Sequence, residues 1–105
     1  MAAMNINKQQ FEEMVTGGKP LLVDYWAPWC GYCRRIGPAY EQIAAAYGND
    51  IIVAKVNIDE EPQLSAKEQI EVIPTLVLYR GGEAIASIVA PESKARIEQF
   101  LRENL

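Results

Sequence analysis

The segment Trp29-Cys30-Gly31-Tyr32-Cys33 holds the only two cysteines of this 105-residue chain, three positions apart. An apolar run precedes it and a helical pattern follows, so Cys30 falls at the start of a helix. The first turn of a helix leaves backbone N–H groups unpaired, and the dipole places partial positive charge there. Both favour a thiolate, so the Cys30 thiol is expected to titrate below the free value of about 8.5. Cys33 lies one turn on, on the same face, within reach of the first sulfur. Such a pair exchanges with disulfides: Cys30 attacks, and Cys33 then attacks the mixed disulfide and releases reduced product. Two other readings use the same residues. The pair is half a zinc site, to be completed by a second protomer or by carboxylates, since structural zinc takes four ligands. Otherwise the two thiols are buried and inert.

Composition narrows the chemistry further. The chain has no histidine, hence no imidazole base, no Cys–His nucleophile pair and no imidazole metal ligand. Two cysteines do not make the disulfide framework of a small secreted scaffold. A net charge of −4 argues against nucleic-acid or anionic-membrane partners, which need a basic patch. No apolar run approaches the roughly 18 residues of a membrane span. Met1 to Lys8 lack the basic start and apolar stretch of a secretory signal. The expectation is a cytoplasmic, monomeric protein of one domain, residues 1–105. Half its residues are apolar, enough for one core without a structural metal.

The elements that must hold the cysteines follow from periodicity. Asn7 reads as an N-cap, with Phe11, Met14 and Val15 on one helix face and Gly17-Gly18 as the stop. Leu21 to Ala27 is a nearly continuous apolar run of strand length, as in a central strand covered on both faces. Past the cysteines, Ile36, Tyr40, Ile43, Ala44 and Tyr47 are spaced by 4, 3, 1 and 3, the mark of an amphipathic helix. A second buried strand, Ile51 to Val56, completes a βαβ unit expected to be right-handed and parallel. This setting favours the redox reading of the cysteine pair. Pro62 opens a short helix ending near Gln69, and Pro74 begins a strand through Tyr79. Gly81-Gly82 predicts a hairpin into Ala84 to Val89, and Ile97, Phe100 and Leu101 mark a last helix. The sum is an α/β fold with a mixed central sheet and helices on both faces.

Two charged residues interrupt the strands. Asp24 sits among Val23, Tyr25 and Trp26, where burial would raise its pKa and suit it to move a proton near neutral pH. The plainer alternative is an exposed strand-end carboxylate. Lys55 stands between Ala54 and Val56 and either approaches Asp24 or snorkels to solvent. Pro74 follows Ile73, and an X–Pro bond is cis in only about 5% of cases, so by itself it reads as trans. Pro38 removes a donor inside its helix, and Asp59-Glu60-Glu61 reads as a solvated acidic turn.

Val23-Asp24-Tyr25-Trp26-Ala27-Pro28-Trp29-Cys30-Gly31-Tyr32-Cys33 resembles the active-site segment of thioredoxins. Pro38, Val56-Asn57-Ile58-Asp59, Ile73-Pro74-Thr75 and Gly81-Gly82 fall where that family's motifs fall, over nearly the whole chain. The resemblance implies a thioredoxin fold and a reductase of protein disulfides, fed by a separate thioredoxin-reductase-type donor. No bound cofactor is expected beyond the Cys30–Cys33 disulfide, because the pair itself carries two electrons, and no metal is expected. The resemblance assigns Asp24 as proton acceptor for Cys33; Lys55 and Trp26 are the candidate supporting residues beside it. It implies a cis bond at Pro74 facing the cysteines, with Ile73 offering backbone to an extended client. Trp29, Gly31 and Ile73 then rim Cys30, Tyr32 also meets the client, and the alternative for Trp29 is core packing.

The pattern departs from the family in places. Tyr32 replaces the usual proline, which restores an N–H near Cys30 and predicts a less negative potential than roughly −270 mV. That keeps a more oxidising oxidase or isomerase in play, alongside a non-catalytic binding module. Arg34 and Arg35 replace a lysine and an apolar residue and read as solvated surface. Val72 and Ala90-Pro91 replace glycine-containing segments bordering the groove.

Overall fold

Leu21 to Trp26 forms β2, and its residues through Tyr25 are all buried because both faces of the strand are covered. Period-two alternation sorts them. Leu21, Val23 and Tyr25 join one apolar cluster, with Phe11, Val56, Leu64, Val77 and Tyr79. Leu22 joins the other, with Ile36, Tyr40, Ile43, Ile97 and Phe100. Asp24 shares the Leu22 face, and that parity aims it at the helix carrying Cys33.

The computed structural model describes residues 2–105. Its elements in chain order are β1 (Met4–Asn5), α1 (Lys8–Val15), β2, α2 (Gly31–Tyr47), β3 (Ile52–Asn57), α3 (Pro62–Lys67), β4 (Thr75–Arg80), β5 (Glu83–Val89) and α4 (Lys94–Asn104). The five strands run in the order β1-β3-β2-β4-β5. β1, β3 and β2 are parallel neighbours, while β4 and β5 are antiparallel. This is the mixed sheet expected from the pattern, and α2 and α4 cover one face while α1 and α3 cover the other. Among the described residues, no helix is long and apolar enough to cross a membrane.

Local signals act where they were read. Asn7 caps α1 reciprocally with Gln10: each side chain accepts from the other residue's amide, at 2.8 and 2.9 Å. Gly81 and Gly82 have φ of +63° and +84°, the left-handed pair that a tight hairpin turn demands between Arg80 and Glu83. α2 continues through Pro38. The sequence reading missed β1. It is two exposed residues long, and only its register with Ala54 and Lys55 makes it a strand. A strand that short has no periodicity to find.

Register then gathers one end of the sheet. Trp26 aligns with Asn57 in β3, and Tyr25 aligns with Thr75 in β4. The chain leaving β2 toward Cys30, the turn after β3 and the segment entering β4 at Pro74 therefore share that end.

Candidate active site

Cys30 is the N-cap of α2, with extended backbone (φ −84°, ψ 109°), and Cys33 occupies the first turn. The two are joined as a disulfide, with Cα atoms 5.3 Å apart. The Cys33 amide donates to Cys30 Sγ at 3.2 Å. The amide reaching the sulfur is thus that of Cys33, not that of Tyr32. Access is unequal: Cys30 is half-buried, whereas Cys33 is 4% exposed. An incoming disulfide meets Cys30 first. Among the described residues, no group of three or more His, Cys, Asp or Glu side chains is gathered to hold a metal ion.

Asp24 is 2% exposed and its Oδ1 has no hydrogen-bond partner. Burial pushes its pKa up to about 7, and the charge of Lys55 opposes that rise. Lys55 is the register partner of Asp24 in β3. Its Nζ lies 4.5 Å from the centre of the Trp26 ring, a cation–π contact that keeps the ammonium beside the site. A cavity of about 190 Å³ connects Asp24, Cys33, Tyr40, Arg34, Lys55 and Trp26. Its size admits several waters, so a proton can pass between Cys33 and Asp24 without direct contact. Tyr40 closes the floor: its Oη lies 2.6 Å from the Ala54 carbonyl and 3.2 Å from that of Leu22.

Trp29 is 67% exposed, which overturns the core-packing alternative. Its indole Nε1 donates to Asp59 Oδ2 at 2.9 Å, and the Asp59 amide donates in turn to Asn57 Oδ1 at 2.9 Å. Asp59 therefore anchors the tryptophan, and the acidic turn is more than solvated surface. Glu61 is also engaged, accepting from the Lys8 amide at 2.9 Å. Ile73–Pro74 is cis, with Pro74 buried and Ile73 half-buried. Tyr32 is half-buried and donates through its hydroxyl to the Pro91 carbonyl at 2.9 Å. Asp59, Tyr40 and Arg34 had no role in the reading of the sequence as site residues, and Pro91 entered it only as a border of the groove, with no partner named. Asp59 and Pro91 lie 30 and 59 positions from their partners, beyond any local pattern.

A family model of thioredoxin matches residues 2–103. The chain belongs to the thioredoxin family. Thioredoxin of Alicyclobacillus acidocaldarius subsp. acidocaldarius is 38% identical over 104 residues, which cover 99% of each chain. Thioredoxin 1 of Nostoc sp. is 39% identical over 105 residues, 99% of this chain and 98% of that one. The bifunctional thioredoxin reductase/thioredoxin of Mycobacterium leprae is 38% identical over 87 residues, or 83% of this chain and 19% of that protein. Thioredoxin membership and the Cys30–Cys33 disulfide together make this protein a thiol-disulfide oxidoreductase that reduces protein disulfides. They favour that activity over an oxidase or a silent binding module.

Proposed function

We propose that Cys30 is the attacking thiol, Cys33 the resolving thiol and Asp24 the proton acceptor in the reduction of client disulfides. In the dithiol state, the Cys30 sulfur carries the anion that the first turn of α2 favours. It bonds to one client sulfur and expels the other as thiolate. Cys33 then gives its proton toward Asp24 through the cavity and attacks the Cys30 side of the mixed disulfide. The Cys30–Cys33 bond forms, the second client thiolate leaves, and two electrons have passed to the client. The observation that carries this reading is the shared cavity of Asp24 and Cys33, with the carboxyl's pKa near the pH at which it must accept.

The client's chain is received over Trp29, Gly31, Tyr32, Ile73 and Pro74. Support comes from the exposed indole, the strand-entry backbone at Ile73 and their place at one end of the sheet. The disulfide is returned to the dithiol by a thioredoxin-reductase-type donor, an activity fused to the matching segment in the M. leprae relative. A reductant of this kind works as a monomer in the cytoplasm, where disulfides are transient and catalytic. The test is Cys33→Ser, which removes the resolving step. It should accumulate mixed disulfides between Cys30 and client proteins, absent in Cys30→Ser. If no such adducts form, the two-step exchange is wrong.

A further inference from the structure

The hydrogen bond from Tyr32 to Pro91 serves no step of the sulfur chemistry, yet it spans the site. Its acceptor is held firmly. Pro91 is buried, and two residues on Ser93 caps α4, its Oγ accepting from the Arg96 amide at 3.1 Å. On the other side of Pro91, Ala90 has φ of +45°, a left-handed conformation uncommon outside glycine. The Ala90 amide donates to the Pro74 carbonyl at 2.9 Å. Two hydrogen bonds therefore run in series from the first turn of α2 through the β5–α4 turn to Pro74. Only the first depends on a side chain, and any residue without a para-hydroxyl at position 32 deletes it.

We infer that Tyr32 is a positioning and specificity-determining residue for client proteins, its hydroxyl latched to Pro91 to fix one wall of the client groove. The inference rests on the reading of Ile73–Pro74 as client-facing backbone. With the latch closed, the separation between the start of α2 and the Ala90 turn is preset. A client then docks without first ordering that turn, which is where binding free energy is otherwise lost. Trp29 and Val72, 67% and 52% exposed, remain as the open side of approach. A small disulfide reaches Cys30 without touching the latched wall and draws no benefit from it. Tyr32 thus separates large from small disulfides, a task that proline at this position has no donor to perform.

The experiment compares Tyr32→Phe with the wild type, both in the dithiol form. Second-order rate constants are measured with a disulfide-bonded test protein and with glutathione disulfide. The ratio of the first to the second should fall roughly three- to tenfold, the equilibrium worth of one neutral hydrogen bond. Amide exchange at Ala90, read by NMR, should quicken by a similar factor. An unchanged ratio overturns the inference, whether both rates fall together or neither moves, and so does unchanged exchange at Ala90. A wild-type protein that reduces glutathione disulfide but no protein disulfide overturns the client-groove reading itself, and the latch with it.

Discussion

Replacing Asp24 by asparagine removes a charge that the folded protein must hold in its interior, while keeping the shape of the protonated acid. The group's pKa is about 7 in the fold against 3.8 in a solvated chain. A raised carboxyl pKa means that the native state keeps its proton more tightly than the unfolded state. Stability from Asp24 is therefore complete below about pH 3.8, drains away as pH climbs to about 7, and is flat above. At about 1.4 kcal/mol per pH unit, that interval corresponds to about 4 kcal/mol. Water entering the 190 Å³ cavity and the nearby Lys55 charge make this an upper value. Denaturant titrations of the disulfide form, wild type and Asp24→Asn, at pH 4 and pH 8 isolate the effect. Fixed packing differences between the two side chains cancel between the two pH values, as do all other titrating groups. The advantage of Asp24→Asn should grow by up to about 4 kcal/mol from pH 4 to pH 8. A gap that stays constant with pH would refute the claim that Asp24 titrates inside the fold near neutrality.

Other outcomes are expected from the same structure. Trp29→Ala should slow reduction of a protein disulfide by about tenfold or more, as loss of a central aromatic contact does. It should leave the denaturation midpoint nearly unmoved, because the side chain is exposed; a large loss of stability with normal rates would reverse the assignment. In the disulfide form it is the Cys33 amide that reaches Cys30 Sγ. If the Tyr32 amide joins it on the thiolate, the reduction potential measured against glutathione should lie above roughly −270 mV, and Tyr32→Pro should lower it. A wild-type value at or below that figure removes the argument from Tyr32. Tyr79→Phe should cost about 1–3 kcal/mol, measured by urea unfolding. Tyr79 donates to Glu68 at 2.7 Å and meets the Tyr25 hydroxyl at 2.7 Å, so its loss strands a buried phenol. A change under about 0.5 kcal/mol would show that water replaces it.

Much of the site was legible in the chain because its logic is local. The i, i+3 spacing of Cys30 and Cys33, the apolar strand before them and the amphipathic pattern after them place both sulfurs at a helix start. Asp24 could be read as buried because its neighbours are apolar on both sides, and strand parity then aims it toward α2. Gly81-Gly82 and Asn7 encode their turn and cap within four residues. Other features depend on which segments meet at that end of the sheet. Trp29 finds Asp59, Tyr32 finds Pro91 and Lys55 lies over Trp26 only because β2, β3 and β4 align in one register. The residues alone favoured a trans bond before Pro74, and only family resemblance argued for the cis bond found. β1 exists solely through its pairing with β3. Hydrophobic period and helix-end electrostatics act between near neighbours and so are written in order along the chain. Contacts across 30 to 59 positions are set by the packing of whole elements, which no short stretch of sequence contains.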